Sequence, residues 1–287
     1  MSQLAYETDE PDKMRDILAL WGLRLVDGGV VVESTHAVFP MASTHCFVAA
    51  GRNATFVTVA GTDPLVLANL VTDFDARLDA AGIAEGYKAA ADVVWARLRA
   101  VIAASMAAGG NLFIAGHSLG GALAAITAHR LVTELDAPVT AVYTFGMPRP
   151  GSPAFAAAYD QRLGMCTYRL VQGEDIVPTV APSFLGFRHL GRYLHCDRGA
   201  KFDAAKLSPG TESDEPLFIE GVSNDFARLL QRPLSGIVSM ATRLKVAATL
   251  VAGVGPAGMR TDPGGIAIEL LPPRLRDHMP DRYIDGF

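Results

Sequence analysis

The chain has 287 residues, half of them hydrophobic and 19% charged, enough apolar material for a large core. Its net charge of -5 gives no electrostatic reason to expect nucleic acid, whose binders usually show a basic face. The three cysteines, Cys46, Cys166 and Cys196, are odd in number and widely spaced, so they form neither a disulfide framework nor a zinc knuckle.

The first residues, MSQLAYETDEPDKMRDIL, are polar and acidic where a secretory leader would be basic and then apolar, so a cytoplasmic protein is expected. Residues 12 to 25 have the apolar spacing of an amphipathic helix. Cys46 to Ala50 and Ala54 to Ala60 flank the turn signal Gly51-Arg52-Asn53 and predict an antiparallel hairpin. The second strand runs into Gly61-Thr62-Asp63-Pro64. Between Asp63 and Glu85, the residues Leu67, Leu70, Val71, Phe74 and Leu78 fall on one helical face. That face reads either as an amphipathic lid over an apolar groove or as a helix packed permanently on the sheet.

Residues 86 to 106 repeat a helical pattern with Val93, Leu98 and Ile102 among its apolar positions. Asn111 to Ala115 is an apolar run of strand length, and from Leu119 the sequence turns to strong helix formers at helical spacing. Between them, Gly116-His117-Ser118-Leu119-Gly120 must turn from strand to helix. A turn that sharp needs glycine at its flanks, and it holds the Ser118 hydroxyl at a helix N-terminus where negative charge is favoured. Further strands are expected at Pro138 to Phe145 and Thr167 to Gln172, with a helix over Pro153 to Arg162 between them. Strands alternating with helices predict an α/β domain whose mostly parallel sheet is covered on both faces.

Beyond residue 200 the composition changes. Residues 201 to 216 read as a loop, 217 to 255 as largely helical, and 255 to 273 as Gly- and Pro-rich. Ile237 to Val254 is apolar enough to resemble a membrane span. Arg243 and Lys245 near its middle, each costing about 2.5–3.5 kcal/mol at a bilayer centre, make it a surface or packing helix instead. Gly253 to Gly258 satisfies G-x-G-x-x-G but follows a helical run and contains Pro256, so it is no dinucleotide fingerprint. The whole is one domain over 1–287: a core at about 30–200, a helical C-terminal elaboration at about 215–260, and a last loop at about 270–287.

A serine becomes a nucleophile only when a base takes its proton and a third group orients that base. The elbow topology predicts the chain order serine, acid, histidine. Asp175 follows the apolar run at Leu170-Val171 and is the expected acid, with Glu174 pointing to solvent. His189, His195 and His278 all satisfy the order. The Tyr/Arg-rich stretch around His189 and His195 reads as an edge strand, and His278 stands in a loop context suited to reaching back over the sheet. His117 is expected to pack rather than react. His189, His195, Cys196 and Asp197 match no zinc spacing. The two oxyanion donors are expected from Leu119 N–H and from the Gly61-Thr62 loop, where the Thr62 hydroxyl either steadies the loop or donates directly.

These segments resemble the class 3 lipase family of α/β-hydrolases, best known from fungal triacylglycerol lipases. "FVTVAGTD" resembles the family's strand and oxyanion loop, although the Arg often found before Gly-Thr is Ala60 here. "EGYKAAADVVWARL", "FIAGHSLGGALAAITA", "YTFGMPRPGSPAFAAAY" and "YRLVQGEDIVPTVAP" follow in family order, the last placing the acid at Asp175. "FRHLGRYLH" resembles a segment whose histidine is structural in the family, which favours "DHMPDRY" and therefore His278 as the base. The 103 positions from Asp175 to His278 exceed the interval the resemblance leads one to expect, the excess falling in residues 200 to 270. The resemblance implies an α/β-hydrolase fold and a serine hydrolase of lipid-like esters, a lipase or esterase, with Ser118, Asp175 and His278 as its triad. It implies a small-molecule ester substrate, transient contact with a lipid surface and no cofactor. A phospholipase or acyltransferase would use the same triad, and a non-catalytic scaffold would be expected to have lost one of its members.

Overall fold

The computed structural model describes residues 1–34, 43–61, 77–106, 109–209 and 273–287. Seven strands form one sheet in simple chain order: β1 (Arg24–Ser34), β2 (Ser43–Ala50), β3 (Ala54–Val59), β4 (Asn111–His117), β5 (Ala141–Phe145), β6 (Thr167–Gln172) and β7 (Arg192–Cys196). The first three pair antiparallel, and β3 through β7 are parallel. The predicted hairpin is β2–β3, closed by Gly51 N–H donating to the Ala54 carbonyl at 2.8 Å. The amphipathic helix near the N-terminus is α1 (Pro11–Leu20). It stops short of residue 25 because the chain there enters β1, a strand whose two glycines and central acid hide its alternation.

The crossover helices are α2 (Glu85–Met106), α3 (Leu119–Leu135) and α4 (Pro153–Leu163). Strands added in one direction by right-handed crossovers place every connecting helix on one face. Accordingly, Val57, Leu112, Ile114 and Val142 pack with Leu98, Ile102, Ala122, Ile126 and Tyr159 in one core. The buried stripe of α2 runs through Tyr87, Val94, Leu98 and Ile102, and Val93 is turned to solvent. Each of the large buried side chains contributes about 1.5–3 kcal/mol.

The opposite face is covered from the two ends of the chain. A 3-10 turn at Leu4–Glu7 and α1 set Leu4, Ala5, Met14 and Leu18 against Phe47 and Ala49. At the other edge α5 (Pro273–Asp277) and α6 (Pro280–Asp285) bring Tyr283 against Leu170 and Leu194. Between these two covers lies an apolar cavity of about 680 Å³, floored by Phe56, Phe113, Tyr143 and Phe145. No helix among the described residues is long and apolar enough to cross a membrane. The stretches at 237–254 and 253–258 lie outside the described residues, as does most of the predicted lid face; of that face, Leu78 is described and bridges Ala84.

Burial leaves several acidic protons hard to remove. Desolvation pushes the Cys46 thiol up to about 12, and raises the Tyr87, Tyr159 and Tyr283 phenols well above their ordinary 10.0. The unfolded chain loses these protons above pH 9 to 10 while the native chain keeps them. Stability is therefore fully present below that range and declines as pH rises through it, by about 1.4 kcal/mol per pH unit for each group. Urea midpoints measured from pH 7 to 11.5 are expected to hold to about pH 9 and then fall steeply, with Cys46→Ala removing the earliest part of the fall. A flat profile to pH 11.5 would contradict this account.

Candidate active site

Ser118 sits between β4 and α3 with φ 58° and ψ -134°, a conformation L-residues rarely adopt. The flanking glycines are needed because the chain folds back on itself. A Cβ on Gly116 would collide with the Gly120 carbonyl, and one on Gly120 with the carbonyl of Val59. Ser118 N–H donates to the Phe145 carbonyl at 2.8 Å, tying the turn to the end of β5. The side chain is buried, and its Oγ has no hydrogen-bond partner among the described residues. Leu119 opens α3, and its N–H belongs to the first turn, where donors have no intrahelical acceptor.

Asp175 follows β6 in a tight loop and is buried. Its Oδ1 accepts Val177 N–H at 2.9 Å. Its Oδ2 accepts two donors, His278 Nδ1–H at 2.7 Å and the Tyr283 hydroxyl at 2.6 Å. Glu174 is turned outward, as its neighbour position predicts, with Arg198 3.8 Å away. The structure thus brings Asp175 and His278 together across a sequence separation of 103. Nε2 of His278, like Ser118 Oγ, is buried without a partner among the described residues.

The glycine at 146 makes this approach possible. Gly146 has φ 60°, and a Cβ there would lie 2.5 Å from Asp175 Oδ2 and 2.7 Å from His278 Nδ1. Gly146→Ala is expected to push the two side chains apart and to strain the backbone, lowering stability by at least about 1–2 kcal/mol. It should also cut ester turnover by about 100-fold. Thermal unfolding with parallel kinetics checks this, and an alanine variant matching the parent in both would refute the close packing.

The other histidines are occupied elsewhere. His189 Nε2–H donates to the Pro178 carbonyl at 2.9 Å, and His195 Nε2–H to the Gly173 carbonyl at 2.8 Å, both holding the loop after β6. His117 is buried, and its proximity to His278 adds to burial in holding its pKa well below 6.5. The three cysteines are free, and no group of His, Cys, Asp and Glu among the described residues is arranged to hold a metal ion. Thr62 lies outside the described residues, and Gly61, just before it, is the last described residue of that loop.

Three partners of the site carried no sequence signal. Tyr283 and Asp277 flank His278 in chain position but act through folded contacts. Asp277 is buried, accepts Glu174 N–H at 2.9 Å and is gripped by Arg198 Nε at 3.0 Å and Nη2 at 2.5 Å. These bonds pin the histidine loop to the acid loop. Tyr6 reaches the site from the N-terminal turn, donating to His117 Nδ1 at 2.7 Å.

Residues 57–185 match the class 3 lipase family. A secreted mono- and diacylglycerol lipase of Malassezia globosa is 38% identical over 100 residues, 35% of this chain and 33% of that protein. A secreted mono- and diacylglycerol lipase of Fusarium solani is 34% identical over 120 residues, 41% of this chain and 35% of that protein. The chain thus spans about a third of the length of these relatives. Among solved structures, lipase II from Rhizopus niveus shares the fold with a TM-score of 0.61 at 19% identity, covering 75% of this chain and 84% of that one. The Rhizomucor miehei lipase–propeptide complex also scores 0.61, at 20% identity, over 76% and 74% of the two chains.

The relatives correct the cytoplasmic placement expected from the N-terminal composition: they are named secreted lipases, which points to an extracellular protein. The physical reason lies in the N-terminal residues themselves. Leu4 and Ala5 are buried and Tyr6 is hydrogen-bonded, so this stretch is part of the folded domain and its polarity reports packing rather than address.

Proposed function

We propose that the chain, whose residues 57–185 match the class 3 lipase family, hydrolyses lipid-like carboxylic esters through an acyl-enzyme on Ser118. The observation that carries the reading is a pair of buried atoms without partners among the described residues: Ser118 Oγ, and Nε2 of His278, whose other ring nitrogen is bonded to Asp175. Buried polar groups are almost always satisfied, and leaving two in one site fits a pair kept for a proton transfer. Both belong to one neighbourhood: Ser118 N–H holds the Phe145 carbonyl, and the next residue, Gly146, is packed against His278.

In this reading Ser118 Oγ attacks the ester carbonyl carbon while its proton passes to His278 Nε2. The N–H groups of Leu119 and Thr62 hold the oxyanion. Asp175 fixes the His278 tautomer with the proton on Nδ1 and stabilises the imidazolium that forms. As the tetrahedral intermediate collapses, the Nε2 proton goes to the departing alcohol. His278 then deprotonates water, which attacks the acyl-enzyme and releases the acid and the free serine. The substrate is an uncharged or amphiphilic ester such as a mono- or diacylglycerol, in keeping with the names of the relatives.

Hydrolysis of p-nitrophenyl esters from acetate to palmitate, by the parent and Ser118→Ala side by side, tests this. Serine-dependent turnover is expected, with the chain-length profile defining the acyl preference. Turnover that survives in the alanine variant rejects the mechanism. A rice phospholipase A1 that is 34% identical over 117 residues favours a second substrate class, the acyl ester of a phospholipid. Release of fatty acid from phosphatidylcholine micelles, compared with diacylglycerol micelles, separates the two.

A further inference from the structure

His117, the residue before the nucleophile, has both ring nitrogens committed. Its Nε2 lies 2.7 Å from the backbone carbonyl of His278, and its Nδ1 lies 2.7 Å from Tyr6 Oη. Tyr6 Oη is also 3.1 Å from the N–H of Gly61. The direction of every bond follows from one end. A carbonyl only accepts, so Nε2 carries the proton, Nδ1 is left as an acceptor, and Tyr6 donates to it. The tyrosine oxygen then accepts from Gly61. Burial of His117, with His278 beside it, keeps the ring neutral and so preserves this polarity. The rings pack as well, with centroids 5.9 Å apart for Tyr6 and His117 and 4.6 Å for His117 and His278.

The chain of bonds joins three elements that the hydrolase reading needs in fixed relation. Gly61 lies just past the end of β3, at the start of the loop expected to carry the Thr62 oxyanion donor, His117 is the residue before Ser118, and His278 is the base. Two of the bonds span 111 and 161 positions, so neither helix nor sheet geometry supplies them. Among the described residues the histidine loop joins no strand ladder, and it is located by the bonds of His278 to Asp175 and His117, of Asp277 to Glu174 and Arg198, and of Gly286 to Phe202.

We propose that Tyr6 and His117 are positioning residues, a Gly61–Tyr6–His117–His278 relay that fixes the oxyanion loop and the base loop about Ser118 and makes the N-terminal turn part of the active site. The inference rests on the hydrolase reading for its kinetic consequences. Half-replacements of the imidazole separate its two bonds. A glutamine amide N–H can stand where Nε2–H stands, and an asparagine oxygen can stand where Nδ1 stands.

With p-nitrophenyl butyrate, His117→Asn is expected to lower kcat about 10- to 100-fold with KM within about twofold, because the bond to the base loop is lost. His117→Gln should recover kcat to within about threefold of the parent, and Tyr6→Phe, which keeps the ring packing, should lower kcat about 10-fold. Unchanged kcat in both His117→Asn and Tyr6→Phe overturns the relay, as does a glutamine no better than the asparagine. A rise in KM at constant kcat overturns it too. Amide hydrogen exchange over residues 273–287 reads the same relay without substrate. Faster exchange there in His117→Asn than in His117→Gln supports it, and equal exchange in the two overturns it. A parent protein that folds but shows no Ser118-dependent turnover sinks the hydrolase reading alone, and the exchange comparison still decides the relay.

Discussion

Ser118→Ala is expected to lower kcat on p-nitrophenyl esters by about 10⁴- to 10⁶-fold, and Ser118→Gly to do the same while making the protein more stable than the alanine variant. The loss follows from the absence of any other nucleophile at the elbow: the neighbours of Ser118 are His117, already bonded at both nitrogens, and Leu119. The stability difference follows from the backbone. At φ 58° and ψ -134° a Cβ is strained, and such residues cost about 1–3 kcal/mol each. Alanine keeps that strain. Glycine relieves it, at a cost of about 0.4–1 kcal/mol through the greater freedom of its unfolded chain, leaving a net gain of about 1 kcal/mol. Calorimetry on the three proteins checks the order glycine above alanine and serine. A glycine variant no more stable than alanine would mean that the turn is unstrained, and residual turnover above about 1% would mean that another group attacks the ester.

Asp175→Asn is the second large effect. The carboxylate now accepts on both oxygens: Val177 N–H on Oδ1, and His278 Nδ1–H with the Tyr283 hydroxyl on Oδ2. An amide turns one of those acceptors into a donor. If the NH₂ faces Val177, two donors meet in a buried loop. If it faces His278, the imidazole must give up the Nδ1 proton and accept there, moving its proton to Nε2. That tautomer cannot take a proton from Ser118, and kcat is expected to fall about 10⁴-fold. The accompanying stability loss should be about 1–3 kcal/mol, the cost of leaving a buried polar group unsatisfied. Single-turnover kinetics, with urea unfolding on the same samples, measures both. A fall of less than about tenfold would show that Asp175 does not set the tautomer.

Much of the architecture was legible because it is written in short windows. The apolar run 111–115, the paired glycines and the helix formers from Leu119 specify a strand, a sharp turn and a helix without reference to the rest of the chain, and β6 falls at its predicted bounds, Thr167–Gln172. Asp175 was accessible for the same reason, as the acid that follows an apolar strand. By contrast, β1 was hidden because Asp27, Gly28 and Gly29 interrupt its alternation. The register there shifts between Leu25, opposite Ala49, and Val30, opposite Phe47, so the extra residues bulge out of β1 itself.

What the sequence by itself determined, then, is the local turn that presents Ser118 and the order of the strands and helices around it, because backbone sterics and hydrophobic period act within a few residues. The tertiary structure showed which histidine faces Asp175. Three histidines satisfy the chain order and the resemblance favours His278 among them, but only the folded contacts of Gly146, Asp277 and Tyr283 set it against Asp175. It also decided that Tyr6, 111 positions before its partner His117 in the chain, belongs to the site. Bonds of that span depend on where the sheet brings distant backbone together, and no periodicity near either residue encodes that meeting.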